Sequence, residues 1–410
     1  MENDKGNYSI SKFFLKLNQM IWRKSYLQKI RGLYRYIDAV LLLFIPKPKK
    51  IFSKKKQVLI VYNLALGDGV LFLGAYDALK KVYPNEKYEL TIACQKAFVQ
   101  LYKKRFDKIL PLDFSGAVVN LKERFQLFKK LRAQAYDIII DPIGSEDCST
   151  NIWVTNAAVG NVKIGVVDNT LPHQCSAKLR HKIYTDVVEI NQPRLHLIEY
   201  YVEFFNSLTP ESKVLAHPAE LDSVALNFDL PDKYFIVFPA ASMEVKRWPA
   251  ERFAWVAVKI YELTGMPVVL CGTEHDRSKF NDFTKALNGR VPILDYIGKT
   301  NILEFCEVIG RAELVFTNDT SAYHIAVAKQ RTTALIAGGY TYTRYASYHY
   351  SNLGYKDPVL ISHRMPCFDC NNHCKYTDQL IFPCVELITR EQAWDKIKKL
   401  VVKKEIEDEV

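Results

Sequence analysis

Val58-Leu59-Ile60-Val61-Tyr62-Asn63 runs directly into Leu64-Ala65-Leu66-Gly67-Asp68-Gly69, and Val70-Leu71-Phe72-Leu73 follows. The first stretch is a short, continuous apolar run, which reads as a strand buried on both faces. The glycines after it let the backbone pass close to a ligand. The spacing then predicts a helix over about 70–82. Strand, glycine turn and helix in that order open a βα unit. Asp68 falls at the start of the helix, where a carboxylate has two readings. It can cap the helix N-terminus, or it can accept a proton from a substrate hydroxyl. The loop lacks a G-x-G-x-x-G fingerprint, which argues against a nicotinamide site.

The same pattern continues outward from this stretch. Leu90–Cys94, Ile109–Leu112 and Ile138–Asp141 read as buried strands, with helices near 97–104 and 118–133. Val162–Val167 and Ile183–Ile190 continue it less regularly, and a helix over 194–208 leads into a polar segment carrying Pro210, Pro218 and Pro231. The alternation then restarts. Phe235–Pro239, Val268–Cys271, Ile293–Tyr296, Leu314–Thr317 and Ala334–Ala337 read as strands, with helices near 250–264, 276–287, 302–310 and 321–329. Strands alternating with helices imply right-handed crossovers and parallel sheets. The expectation is an α/β chain of two doubly wound, Rossmann-like domains facing a cleft, 57–225 and 226–388, with a C-terminal helix over 389–410. Ligands bind such sheets at the carboxyl ends of their strands.

The charge is unevenly placed. The 410 residues carry a net +11, yet residues 1–56 hold 14 basic and three acidic residues (Glu2, Asp4, Asp38), and the remainder holds 42 of each. A nucleic-acid enzyme needs basic surface on its folded body; this body is neutral, so nucleic acid is not an expected partner. The extension itself reads as a basic amphipathic helix. Ile10, Phe13, Leu17 and Met20, then Leu27, Ile30, Tyr34, Ile37, Leu41 and Phe44, recur at helical steps, with Lys and Arg on the other faces and Trp22, Tyr26, Tyr34 and Tyr36 among them. Such a helix can lie in a membrane interface or dock on the body, and the spacing alone does not choose. The most apolar run, Ala39–Ile45, is far below the roughly 18–20 residues of a membrane span. Pro46 after it is not a signal cleavage site. A cytosolic protein without a spanning helix is expected.

Three further loops follow strands of the second half. Ala240-Ala241-Ser242-Met243-Glu244-Val245-Lys246-Arg247-Trp248-Pro249 brings a hydroxyl, a Lys and an Arg to a strand end, a composition suited to an anion and equally to a solvated loop. Gly272-Thr273-Glu274-His275-Asp276 offers Glu274 as an acceptor for a ribose diol, or as an ordinary first-turn acid. Thr317-Asn318-Asp319-Thr320-Ser321-Ala322-Tyr323-His324 opens a helix whose N-terminal N–H groups favour an anion; Asp319, Thr320 and Ser321 can equally be caps, and His324 a packing residue. Together they supply donors and cations for a diphosphate and an acceptor for a ribose, while the first half supplies one carboxylate. That division suits transfer of a sugar from a nucleotide diphosphate to a hydroxyl.

At these residues the chain resembles glycosyltransferase family 9, the lipopolysaccharide heptosyltransferases, over about 57–400. The carriers are Val58-Leu59-Ile60 with Leu66-Gly67-Asp68; Phe238-Pro239-Ala240-Ala241-Ser242 with Lys246-Arg247-Trp248-Pro249-Ala250-Glu251-Arg252-Phe253; Ile297-Gly298-Lys299-Thr300; and Thr317-Asn318-Asp319-Thr320-Ser321 with His324-Ile325-Ala326. The resemblance implies a GT-B fold and an inverting transfer from a nucleotide-sugar, typically ADP-heptose, to a glycolipid acceptor. It implies Asp68 as general base, Ser242 and Lys246 on the diphosphate, Glu274 on the ribose, and Asp319, Thr320, Ser321 and His324 on the sugar and phosphate. No metal is obligatory in that reading. The chain departs from the family pattern at Ala240, where Gly is common, and at Ala337-Gly338-Gly339-Tyr340-Thr341, where a Phe-Gly-Pro-Thr-like loop is common. Epimerisation or hydrolysis of a nucleotide-sugar, and non-catalytic glycolipid or membrane binding, remain alternatives. The expected location is the cytoplasmic face of the inner membrane, met through residues 1–56.

Four thiols lie within 18 residues near the C-terminus: Cys367, Cys370, Cys374 and Cys384, with His373 among them. The spacing is compatible with a structural zinc, with redox pairing, and with reduced structural thiols. Cys94, Cys148, Cys175, Cys271 and Cys306 read as structural thiols of a reducing compartment.

Overall fold

A computed structural model describes residues 36–48, 53–113, 116–117, 120–144, 149–168, 175–192, 194–211, 213–376 and 378–408. Its described residues fall into two compact units. One comprises those up to Arg194 with Ile198–Ala216; the other comprises Leu195–Leu197 and everything from His217. The division after Ala216 lies within the Pro-containing segment, ahead of the expected 225/226 boundary. The last helix, Arg390–Asp408, packs within the second unit against the helix Ala250–Thr264 and the edge strand.

The first unit holds six parallel strands: β1 Lys56–Val61, β2 Tyr88–Gln95, β3 Lys108–Leu112, β4 Ala135–Ile140, β5 Val159–Asp168 and β6 Asp186–Ile190. They are arranged β3-β2-β1-β4-β5-β6. Val58 pairs with Leu90 on one side and Ile138 on the other, so β1 is central. This is why its residues from Val58 to Val61 are all buried with no polar alternation. The second unit repeats the plan with β7 Phe235–Phe238, β8 Val268–Gly272, β9 Ile293–Ile297, β10 Leu314–Asn318, β11 Thr333–Ile336 and β12 Val359–Ile361, ordered β12-β11-β10-β7-β8-β9. Thr317 pairs with Phe238, placing β7 centrally. In both sheets the order reverses beside the first strand, the switch point of a doubly wound fold.

Several local readings change. The helix expected over 70–82 begins at Leu66 and is divided into Leu66–Leu73 and Tyr76–Val82. Ile183–Ile190 is not one strand, because the helix Ala177–Ile183 ends before β6 begins. Thr150–Ala157, capped by the Ser149 hydroxyl, and β12 were not expected. The helix Ala250–Thr264 ends on Gly265 at φ +67°, a left-handed position suited to glycine.

Of the N-terminal extension, residues 36–48 and 53–56 are described, and 36–43 are helical. The stripe from Ile10 to Tyr34, with Trp22 and Tyr26, lies outside the described residues, as does Cys148. No helix among the described residues is long and apolar enough to cross a membrane.

Candidate active site

In the first unit, the loops leaving β1 and β4 flank the switch point. Asp68 is the third residue of the helix Leu66–Leu73 and is half-buried. The cap position is Ala65, with no side-chain cap bond, so Asp68 is not the N-cap. It stands in the first turn, where the helix dipole favours negative charge. Its backbone is held from below. The Tyr62 hydroxyl donates to the Asp68 carbonyl oxygen at 2.7 Å and lies 3.0 Å from the Tyr201 hydroxyl. Gly69 has no room for a side chain, since a Cβ there would sit 2.5 Å from the Tyr102 hydroxyl. Burial raises the Tyr62 and Tyr102 phenols well above their usual range, and the nearby Asp68 charge adds to it. These tyrosines are thus neutral phenols close to the carboxylate.

Across the switch point, Asp141 is fully buried just beyond β4. It accepts hydrogen bonds from the Tyr184 hydroxyl at 2.8 Å and from the Ile143 amide at 3.3 Å. Burial pushes its carboxyl up to about 6 despite those bonds. Nearby, the Asn63 amide donates to Asn151 Oδ1 at 3.1 Å, so the end of β1 is pinned to the helix Thr150–Ala157.

In the second unit the switch point lies between β7 and β10, and the residues there meet. Lys246 ends a single 3₁₀ turn, Glu244–Lys246, in the loop after β7. Its ammonium is 3.9 Å from an Asp319 carboxylate oxygen in the loop after β10, and 4.3 Å from the centroid of the Tyr340 ring in the loop after β11. The 3.9 Å separation is too long for a hydrogen bond. The Lys246 ammonium therefore keeps its donors for a ligand, while the Asp319 carboxylate also lies beside the Tyr340 hydroxyl. Asn318 fixes the two loops to each other: its Nδ2 donates to the Pro239 carbonyl at 2.7 Å, and its Oδ1 accepts from the Trp248 amide at 3.2 Å.

Thr320 is the cap position of the helix Ser321–Ala328, but its hydroxyl lies 3.2 Å from the Thr317 hydroxyl rather than capping the first turn. The first-turn N–H groups of that helix keep their anion-binding character. Ser321 and Asp319 stand beside it, partly exposed, and Ser242 is exposed in its own loop. His324 is buried one turn in, with Nδ1 2.8 Å from the Tyr348 hydroxyl, and burial pushes its pKa down to about 4. It is a neutral ring beneath the loop, not a cation facing the loop's open end.

Glu274 lies after β8, on the same carboxyl edge of the sheet. One oxygen accepts from Arg277 Nε at 2.6 Å, and Arg277 also meets Asp295 at 2.7 Å. Gly298, at φ +74°, lies so close that a Cβ there would come 2.5 Å from Glu274 Oε2. The Lys-Arg-Trp-Pro run divides its labour. Lys246 faces the site, whereas Trp248 is buried with Nε1 donating to the Ile388 carbonyl at 2.8 Å, and Arg252 reaches the same carbonyl at 2.8 Å.

The cysteine segment packs against these loops. The Cys370 amide donates to the Gly339 carbonyl at 3.2 Å, the Asn372 amide to the Tyr340 carbonyl at 2.7 Å, and the Phe382 amide to the Val245 carbonyl at 2.8 Å. Burial raises the Cys370 and Cys374 thiols and pushes Cys384 up to about 11. Metal ligation needs thiolates. Among the described residues no group of three or more His, Cys, Asp or Glu side chains is placed to hold a metal ion.

Tyr340, Asn318, Asp141 and Tyr62 carry the two sites and were not singled out as site residues. Asn318, Asp141 and Tyr62 had one legible signal, a place at or beside the end of an expected strand. The role of Tyr340 depends on a contact between loops distant in sequence.

Comparison with known proteins gives a consistent picture. The model of "Glycosyltransferase family 9 (heptosyltransferase)" matches residues 124–372. That span contains every proposed donor-side residue and excludes Asp68. Lipopolysaccharide heptosyltransferase 2 of Salmonella typhimurium is 21% identical over 302 residues, covering 69% of this chain and 82% of that protein. Among solved structures, a family 9 glycosyl transferase from Veillonella parvula superposes with a TM-score of 0.68 at 16% identity, over 87% of this chain and 100% of that one. The E. coli ADP-heptose lipopolysaccharide heptosyltransferase II superposes with a TM-score of 0.63 at 17% identity, over 85% and 99%. The two structures share the fold.

Proposed function

This chain belongs to glycosyltransferase family 9, the heptosyltransferases, and from that premise we propose that it moves a heptose from ADP-heptose onto a hydroxyl of a lipopolysaccharide-core glycolipid, inverting the anomeric carbon. The observation that carries the reading is the meeting of Lys246 and Asp319 from different loops at the switch point of the second unit, beside a helix N-terminus. A leaving diphosphate gains charge as the anomeric C–O bond breaks. Fixed donors at that place stabilise it.

In the proposed reaction the Asp68 carboxylate takes the proton of the acceptor hydroxyl as its oxygen attacks the anomeric carbon. The bond to the diphosphate breaks, and its electron pair leaves with ADP. Lys246 and the first-turn amides at Thr320 and Ser321 neutralise the diphosphate, with Ser242 adding a hydroxyl. Asp319 accepts from the sugar, and Glu274 accepts from the ribose diol while Arg277 steadies its other oxygen. His324 supports the loop from beneath. The positive charge needed is supplied by Lys246 and the helix, so no metal is assigned to the step. The acceptor would be met at the cytoplasmic face of the inner membrane.

Thermal-shift titration across ADP-, UDP- and GDP-sugars, followed by product analysis with and without glycolipid acceptor, tests this. Stabilisation by ADP-heptose and transfer only when acceptor is present are expected. Free sugar or an epimer formed without acceptor would indicate a hydrolase or epimerase, and a chain that binds no nucleotide-sugar would refute the reading.

A further inference from the structure

The helix at residues 36–43 and the turn after it have two apolar faces with different fates. Asp38, Leu41, Leu42 and Ile45, at helical steps, turn inward. Leu41, Leu42 and Ile45 pack with the core that holds Leu59, Phe128 and Trp153. Asp38 is buried and receives two bonds from Arg124, Nε at 2.5 Å and Nη2 at 2.7 Å. The Arg124 guanidinium in turn lies 4.1 Å from the Trp153 ring centroid. Arg132 closes the helix end, with Nη1 2.7 Å from both the Leu42 and Ile45 carbonyls.

The second stripe points to water. Tyr36, Val40, Leu43 and Phe44 are 73, 53, 82 and 73% exposed. These are four of the twelve exposed large hydrophobic side chains among the described residues, and they fall within nine positions. The helix cannot roll to bury them without extracting a buried ion pair from the core. Among the described residues of the unit nothing covers the stripe. The sequence around it indicates what that is. Lys47, Lys54 and Lys56 are exposed close by, and Asp38 is already neutralised by Arg124. The segment's 14 basic residues are thus left with only Glu2 and Asp4 as other acids. A second copy would bring two such cationic segments together, which opposes self-pairing. An anionic surface with an apolar interior matches both features.

We propose that Tyr36, Val40, Leu43 and Phe44 insert into an anionic lipid surface, and that the Asp38–Arg124 pair makes the helix a rigid foot of the first unit rather than a loose tether. This deepens the proposed glycolipid reading, on which it rests for the surface's identity. The foot would hold the unit that carries Asp68 at a fixed attitude to the lipid.

The test uses the full chain with vesicles of phosphatidylethanolamine and phosphatidylglycerol, and with phosphatidylcholine vesicles as neutral control. Wild type should partition at least tenfold better onto the anionic vesicles. The double variant Leu43→Ser, Phe44→Ser should lose at least tenfold of that partition, with nucleotide-sugar binding unchanged. A Leu43→Trp variant should be quenched by lipids brominated on their acyl chains. Equal partition of wild type and double variant, or no quenching, would overturn the proposal. So would self-association, or capture of an acidic protein, abolished by the same substitutions. Transfer to a soluble acceptor, measured on the same variants, separates this outcome from failure of the glycosyl-transfer reading.

Discussion

The ammonium of Lys246 lies 4.3 Å from the centroid of the Tyr340 ring, joining the loop after β7 to the loop after β11. Tyr340 is almost wholly buried, so the cation is held against an aromatic face in a partly desolvated place. An Asp319 carboxylate oxygen stands 3.9 Å from the same ammonium. Lys246 is thus oriented by weak neighbours and committed to neither, a suitable state for a group that must meet a diphosphate.

Removing the charge should weaken donor binding. A charge-assisted contact contributes about 1.5–3 kcal/mol, so Lys246→Ala should lower nucleotide-sugar affinity on the order of 10–100-fold. Isothermal titration with ADP-heptose measures it. Unchanged affinity would remove Lys246 from the site.

The Tyr340 ring should matter more than its hydroxyl. Cation–π contacts of this kind contribute about 0.5–2 kcal/mol. Tyr340→Leu should raise the donor KM several-fold with kcat little changed, while Tyr340→Phe should stay near wild type. A double-mutant cycle with Lys246→Met should show that the two effects are not additive; additive losses would mean that Tyr340 only supports the loop.

The second unit should be sensitive to acid. His324 and His196 are buried, and burial pushes them down to about 4 and about 3. An unfolded histidine titrates near 6.5. Below that pH the unfolded chain binds protons that the folded chain refuses. Stability held above pH 6.5 is therefore lost as pH falls toward 4, at roughly 1.4 kcal/mol per pH unit for each histidine. Asp141 acts with the opposite sign. Its carboxyl is raised to about 6, so the folded first unit gains stability as pH falls through 6. Urea midpoints at pH 7.5 and 5 should fall less for His324→Gln than for wild type, and an equal fall would contradict the assignment.

The buried ion pair of the N-terminal helix should be costly to break singly. Asp38→Ala leaves Arg124 buried without its carboxylate, and such losses cost about 3–5 kcal/mol. Adding Arg124→Met should recover part of it, because the unpaired charge is removed as well. A double variant less stable than Asp38→Ala would show that the arginine's contacts to Ala117 and Trp153 dominate.

The alternation of buried strands and helices was legible because period and burial are local signals. Val58–Val61 and Leu314–Thr317 could be placed within a residue or two from apolar runs alone. The donor loops were legible as compositions after strands, and the family resemblance sharpened them. Position along the chain could not show which residues within those loops meet. The Lys246–Tyr340 contact joins loops about ninety residues apart, and only the strand order brings their ends to one edge. The two-faced helix was hidden for a similar reason. Leu41 and Phe44 read as one apolar stripe, yet Leu41 packs inward and Phe44 does not, and Asp38, an acid in that run, turns inward as well because Arg124 awaits it. His324 reads from its spacing as a loop ligand or as a packing residue, and the fold buries it against Tyr348.

The central claim is that Asp68 activates an acceptor hydroxyl for attack on a nucleotide-sugar bound by the second unit. Single-turnover transfer from ADP-heptose to a glycolipid acceptor, run beside equilibrium donor binding for wild type and Asp68→Asn, tests it most directly. The account predicts that the variant binds donor as wild type does and transfers at least about a hundredfold more slowly, the usual range for a lost general base. Transfer at the wild-type rate by Asp68→Asn would contradict it.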